Sequence, residues 1–211
     1  MIELDYAALG SEPLATEPFA HVVVPHFVPA EALRRVVADL PSLGKRGSFP
    51  LDAVTLGPAA ADLMREIEGD QLRAAIARKL GMDLAGAPTM VTLRAWTDER
   101  DGHIHRDSTA KRVTVLLYLN PAGDEAWKRQ EGCLRLLRGP RDLDDYAVEV
   151  PPVDGTLLVF PNTPQAWHGH RVFCGQRFSV QLNYMTTDAK ARSELRRHRL
   201  SAFMKRLTRA A

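Results

Sequence analysis

Cysteine is nearly absent: Cys133 and Cys174 are the two in 211 residues. Two thiols without metal-ribbon spacing exclude a disulfide-stapled scaffold, fit a reducing compartment, and are expected to be small core residues. Long apolar runs are missing too, since none approaches the ~20 residues of a membrane span. The opening Met1-Ile2-Glu3-Leu4-Asp5 lacks the basic and apolar regions of a signal peptide. No membrane span and a cytoplasmic location are therefore expected. There is no internal repeat and no low-complexity segment. There is little excess charge, with a formal net of +2, though from Asp188 onward eight Lys/Arg face two acids. Hydrophobic residues at 45% and charged residues at 26% are what a globular chain carries. At ~100–200 residues per domain, one unit spanning 1–211 is expected.

Helical periodicity marks the first part. Leu33, Val36, Val37 and Leu40 recur at i, i+3, i+4 and i+7, predicting a helix over 29–40 with Pro29 in its first turn. A second stretch carries Leu63, Met64 and Ile67. It breaks at Gly69-Asp70, with Asp70 a candidate N-cap, and resumes with Leu72, Ala75, Ile76 and Leu80 until Gly81. From about Pro88 the pattern becomes short Val-, Leu-, Thr- and Phe-rich segments at 89–96, 112–119, 132–137, 146–150, 155–160, 165–168, 171–174 and 176–185. Eight short strands without helices between them predict an antiparallel sandwich or jelly roll, mainly β with flanking helices, rather than βαβ units. The expected layout is a helical lead-in over 1–87, a β core over 88–186 and a basic C-terminal helix over 187–211. That helix carries Leu200, Phe203, Met204 and Leu207 on one stripe and Arg196, Arg197, Arg199, Lys205, Arg206 and Arg209 mostly elsewhere. Docking of the stripe on the domain is the expected role, with no nucleic-acid partner.

The last strand alternates Arg177, Ser179, Gln181 and Asn183 with Phe178, Val180, Leu182 and Tyr184, so one face is a polar ladder. Taken alone, this describes any sheet with one wet face. Two histidine clusters add to it: Asp101-Gly102-His103-Ile104-His105-Arg106-Asp107 and Trp167-His168-Gly169-His170. Two imidazoles and one carboxylate on one face suit a borderline divalent metal with open positions, as in non-haem Fe(II) sites. His105 and Asp107 stand two apart and project to one side of an extended or turned backbone, so the third ligand must come from a distant strand. A three-residue His-x-Asp pattern is common by chance. The added weight comes from a histidine about sixty residues on and from Arg177, whose inward charge calls for a bound anion. Metal and anion together point to a 2-oxo acid cosubstrate.

The stretch His103 to Met185 resembles the Fe(II)- and 2-oxoglutarate-dependent dioxygenases of prolyl-hydroxylase type. The resemblance is carried by His105-Arg106-Asp107, by Val113–Asn120 with its Tyr118-Leu119-Asn120, and by Gly132-Cys133-Leu134-Arg135-Leu136. It continues through Val150–Phe160 and ends with His168 nine residues before Arg177. The fold it implies is a double-stranded β-helix. It implies that His105, Asp107 and His168 hold iron and are catalytic. It also implies that Arg177 and Tyr118 bind the distal carboxylate of 2-oxoglutarate; Thr114, Gln181 and Asn183 are added as pocket-lining residues by strand alternation. Fe(II), 2-oxoglutarate and dioxygen are the implied cofactors and cosubstrates, with ascorbate an optional addition. The activity implied is hydroxylation of an unactivated C–H, with release of succinate and carbon dioxide. A carboxylate at Asp107 argues against the halogenating relatives, which carry a small residue there. Arg94-Ala95-Trp96 departs from the family's Arg-then-Tyr pattern, and Glu131-Gly132 stands where a Gly-Gly pair is usual.

His170 competes with His168, and His103 with His105; spacing to Arg177 and to Asp107 favours His168 and His105. The substrate, peptide or small molecule, is not legible, and loops 97–104 and 121–131 with Trp127 are expected to frame the entrance. A non-catalytic, cupin-like metal binder or interaction module is the alternative, and a related nucleic-acid demethylase has only the basic tail in its favour.

Overall fold

The computed structural model describes residues 2–123 and 125–207, with side chains through Ala202. Its elements are α1 (Tyr6–Ser11), β1 (Val22–Val24), α2 (Ala30–Ala38), β2 (Phe49–Pro50), a 3₁₀ turn (Leu51–Ala53), α3 (Pro58–Glu68), α4 (Asp70–Leu80) and β3 (Thr89–Thr97). There follow β4 (Lys111–Tyr118), α5 (Glu125–Lys128), β5 (Leu134–Leu137), β6 (Tyr146–Val150), β7 (Leu157–Pro161), β8 (His168–His170), β9 (Gly175–Met185) and α6 (Ala189–Leu207).

Two antiparallel sheets face each other. The larger runs β1-β7-β4-β9-β3-β2 and the smaller β6-β5-β8, the jelly-roll arrangement that the strand pattern predicts. The pleat of the large sheet explains both of its faces. On β4, Val113, Val115 and Leu117 point outward with Phe178, Val180, Leu182 and Tyr184 of β9. They pack beneath α2–α4 against Leu33, Val36, Leu63, Ile67, Leu72 and Ile76. The alternate residues point between the sheets. At one end these are apolar, with Phe19, Leu134, Leu136, Leu158 and Phe160 in contact. At the other they are polar.

The helical lead-in differs from expectation at its ends. Pro29 is the N-cap of α2 rather than a residue of its first turn. Asp70 opens α4 behind the N-cap Gly69 and makes no capping bond. The N-terminus of α3 is served instead from afar, the Ala59 amide donating to Asp39 at 2.6 Å. Gly81 closes α4 in the left-handed region at φ 62°, where a side chain would strain the backbone. The predicted strands 165–168 and 171–174 are replaced by β8 between them, because it is residues 168–170 that pair with β5. β1 and β2 carry too few residues to register as a pattern.

Among the described side chains of α6 the buried ones are Ala191 and Ala202, while Leu200 is 58% exposed, so the predicted stripe is not the docking face at that position. Phe203, Met204, Leu207, Lys205, Arg206 and Arg209 lie outside the described side chains. The helix is tied to the chain after β3 by Ser108 donating to Glu194 (2.5 Å) and Lys190 donating to Thr109 (2.8 Å). Cys133 is buried, and burial pushes its thiol up to about 11, but Cys174 is exposed and is not a core residue. No helix among the described residues is long and apolar enough to cross a membrane.

Candidate active site

His105 and His168 form an isolated antiparallel bridge. The His105 amide donates to the His168 carbonyl at 2.9 Å and the His168 amide returns the bond at 3.0 Å. Paired residues of an antiparallel bridge put their side chains on one face. Their rings accordingly lie 4.3 Å apart between centroids. Asp107, two residues on, joins them, and one ligand atom from each of the three lies within 4.8 Å of the others. A single ion bonded at about 2.0–2.2 Å spans that separation with side-chain movements of under roughly 1 Å.

The imidazole nitrogens are already assigned. His105 Nδ1 lies 2.8 Å from the His103 carbonyl, and His168 Nδ1 lies 3.0 Å from the Ala166 carbonyl. A carbonyl can only accept, so each Nδ1 donates, and in the neutral imidazole this leaves Nε2 with the lone pair that ligates a metal. Burial, with His105 adjacent, pushes His168 down to about 4, which keeps it neutral. Burial works the other way on Asp107, but Lys111 at 2.7 Å, His168 and the Thr114 hydroxyl hold its carboxyl below the ordinary range. These donor types and this protonation fit a divalent cation such as Fe(II).

A pocket opens from the triad along the polar face of the large sheet. It is lined by Arg94, Thr114, Tyr118, Arg177, Ser179 and Gln181, with Gly102, Lys111 and His170 among its other walls. The polar ladder of β9 is therefore interior, not solvent-facing: Arg177, Ser179 and Asn183 are all buried. Arg177 is 6% exposed, donates from Nε to the Gly132 carbonyl at 2.9 Å, and makes no ion pair among the described residues. Its guanidinium sits 5.3 Å from the centroid of the Tyr118 ring. The Tyr118 hydroxyl is buried with no hydrogen-bond partner among the described residues. Burial raises the Tyr118 pKa and the Arg177 charge opposes that rise, so the phenol stays protonated. A buried cation without an ion-pair partner, beside a phenol, has the chemistry to receive a carboxylate.

The remaining predicted residues sort clearly. Thr114 and Gln181 line the pocket as expected, and Thr114 donates to Asp107; Asn183 does not line it but lies buried behind, accepting from Gln181 at 3.4 Å. Of the competing histidines, His103 is exposed and offers the carbonyl that orients His105. His170 is buried in the pocket wall, its Nδ1 bonded to the Arg171 carbonyl at 2.8 Å. Gly102 lines the pocket, as expected of loop 97–104, but no described residue of loop 121–131 does. Trp127 does not frame the entrance. It is buried against Phe173 at 4.8 Å, with its indole N–H donating to the Pro121 carbonyl. Lys111 and Arg94 are pocket residues that the sequence reading did not single out. An Asp-Lys pair at i, i+4 and an arginine within a hydrophobic strand were the signals available.

The 2OG-Fe(II) oxygenase superfamily model matches residues 91–185. A comparison of the sequence with curated proteins gives no match. Solved structures are similar over most of their length. A prolyl-4-hydroxylase of Pseudomonas putida is 19% identical with a TM-score of 0.56, covering 89% of this chain and 94% of its own. A prolyl hydroxylase of Trichoplax adhaerens, in complex with a hypoxia inducible factor peptide fragment, is 20% identical with a TM-score of 0.57, covering 90% of each chain. HygX of Streptomyces hygroscopicus with iron bound is 16% identical with a TM-score of 0.54, covering 82% of this chain and 88% of its own. The triad, Tyr118 and Arg177 all fall inside the segment that matches the 2OG-Fe(II) oxygenase superfamily model, and the chain has the fold of the prolyl hydroxylases.

Proposed function

We propose that the chain, acting as one domain, hydroxylates an unactivated C–H of a small molecule or peptide, with 2-oxoglutarate oxidised alongside. The balance is one C–H, one dioxygen and one 2-oxoglutarate in, and one alcohol, one succinate and one carbon dioxide out. One oxygen atom enters each organic product. The observation that carries this reading is the convergence, in one pocket, of a His-Asp-His group with an unpaired buried guanidinium.

In this reading Nε2 of His105, Nε2 of His168 and a carboxylate oxygen of Asp107 hold Fe(II). The metal, when bound, supplies dioxygen activation. Lys111 and Thr114 fix the Asp107 carboxylate by its two oxygens, and the carbonyls of His103 and Ala166 fix the imidazoles. Arg177 draws the distal carboxylate of the cosubstrate to the inner end of the pocket, and the Tyr118 hydroxyl donates to it. Ser179 and Gln181 form the wall alongside, with Asn183 behind them accepting from Gln181. Leu116 and Leu134 close the pocket against water and narrow its approach.

The test is succinate formation from 2-oxoglutarate with Fe(II) and oxygen, in the wild-type chain and in His105→Ala and Asp107→Ala. Turnover lost in both variants supports the reading. Metal binding without succinate under any condition overturns it.

A further inference from the structure

Arg94 is a second guanidinium in the pocket, and no acidic side chain among the described residues forms an ion pair with it. It stands in the middle of β3 opposite Ser179 of β9 and faces the space between the sheets. Its Nε is buried without a hydrogen-bond partner, and the residue makes no ion pair among the described residues. Burial lowers its pKa; Asp101 opposes this and Arg177 adds to it. Asp101 is already engaged: its carboxylate accepts from Arg46 Nε at 2.8 Å and from the Asp98 amide at 3.0 Å. Asp98 in turn holds Arg100 at 2.6 Å. That rim of two cations and two carboxylates is neutral within itself.

Charge counting then separates Arg94 from the cosubstrate. The pocket is lined by one carboxylate, Asp107, and by three cations, Lys111, Arg94 and Arg177, so these four side chains carry a net of +2. The two charges of Fe(II) and those of the 2-oxoglutarate dianion cancel, so the excess persists in the loaded site. Lys111 is bound to Asp107 and Arg177 is committed to the distal carboxylate, which leaves Arg94 for a further anion. A planar guanidinium with its donors free matches a carboxylate.

We propose that the primary substrate is a small acid, such as a free amino acid, whose own carboxylate is bound by Arg94. An internal residue of a peptide, whose carboxyl is consumed in the amide, does not satisfy this site. The proposal rests on the oxygenase reading above and selects among its substrate classes.

The experiment uses the Zn(II)-loaded full chain, in which no turnover occurs. Calorimetry measures 2-oxoglutarate binding. Saturation-transfer NMR on the 2-oxoglutarate-saturated protein then screens the twenty free amino acids and a set of small dicarboxylic and hydroxy acids, each beside its amide. Arg94→Met is expected to leave 2-oxoglutarate affinity within about threefold, whereas Arg177→Met weakens it about thirtyfold or more. At least one free acid binds, its amide does not, and Arg94→Met weakens the acid about tenfold or more, with Arg94→Lys intermediate. Should Arg94→Met fold poorly by circular dichroism, Arg94→Gln reads the same loss. If 2-oxoglutarate affinity falls in Arg94→Met as it does in Arg177→Met, Arg94 serves the cosubstrate and the proposal fails. It fails equally if amides bind as well as acids, or if no acid binds. Failure of the wild-type chain to bind 2-oxoglutarate at all instead removes the oxygenase reading, and the proposal with it.

Discussion

Replacing Arg177 by methionine separates a ligand-binding cation from a structural one. In the ligand-free chain this guanidinium is buried with one hydrogen bond, to the Gly132 carbonyl, and no carboxylate partner among the described residues. After Nε is used, the two terminal nitrogens remain for an incoming carboxylate. Charge-assisted hydrogen bonds contribute about 1.5–3 kcal/mol each. Two of them, set against the desolvation of the ligand, give an expected loss of about 2–4 kcal/mol, or roughly 30- to 1,000-fold in 2-oxoglutarate affinity. Tyr118 still offers its hydroxyl, so binding is weakened and not abolished. Stability should move differently. Methionine fills similar space and leaves the Gly132 carbonyl unsatisfied, a cost of about 1–3 kcal/mol, but it also removes an uncompensated buried charge, which costs several kcal/mol to keep. Chemical denaturation of the ligand-free variant should therefore show stability unchanged or raised, while calorimetry shows the affinity loss. A variant destabilised by about 3 kcal/mol or more that binds 2-oxoglutarate within threefold of wild type would refute the reasoning, because Arg177 would then be a structural residue.

Three further outcomes are expected. Thr114→Val removes the hydroxyl that bonds Asp107 without changing side-chain shape, so metal affinity by competition titration should fall about 10- to 100-fold with the circular dichroism spectrum intact. Gly102 has φ 93°, and a Cβ there would meet the His170 carbonyl at 2.3 Å; Gly102→Ala should cost about 1–3 kcal/mol in urea melts and weaken 2-oxoglutarate binding through the displaced wall. In the metal-free chain His168 and His170 are both pushed from 6.5 to about 4 by burial, His105 adding to the first and Arg177 to the second. Because the folded pKa lies below the unfolded one, the unfolded chain binds more protons between pH 6.5 and 4. Stability is thus complete above 6.5 and falls on acidification, by about 3 kcal/mol per histidine. His170→Gln should flatten that slope by one proton, and an unchanged slope in denaturant titrations would contradict it.

What the sequence made legible follows from which features are local. Alternation along 176–185 announces a strand with a polar face, and the spacing of His105 to Asp107 and of His168 to Arg177 is visible in one line of text. The sidedness of that face is not local. Arg177 is interior because the β5 sheet covers β9, a contact between distant segments, and the same covering turns Arg94 from an exposed-strand arginine into a pocket residue. Trp127 misled for the converse reason: a tryptophan in a polar loop looks like a rim, yet Phe173, from the loop before β9, gives it a partner to pack on. Leu200 likewise follows helical spacing, while what buries a face of α6 is contact with the 3₁₀ turn and β2, a surface the helix's own sequence does not describe.

The metal group and the anion receptor depend on backbone pairing in unequal degrees. His105 and His168 are held by two reciprocal amide–carbonyl bonds and by carbonyls two residues upstream of each ring, so backbone pairing fixes their geometry. Arg94 and Arg177 reach the same pocket on long side chains from neighbouring strands. Hydrogen bonds hold them less, since Arg177 has one backbone acceptor and the Nε of Arg94 has none among the described residues. The rigid end therefore fixes where chemistry occurs, and the adaptable end determines which acids enter. Substitutions at Arg94 should accordingly change the range of acids bound far more than the affinity for metal.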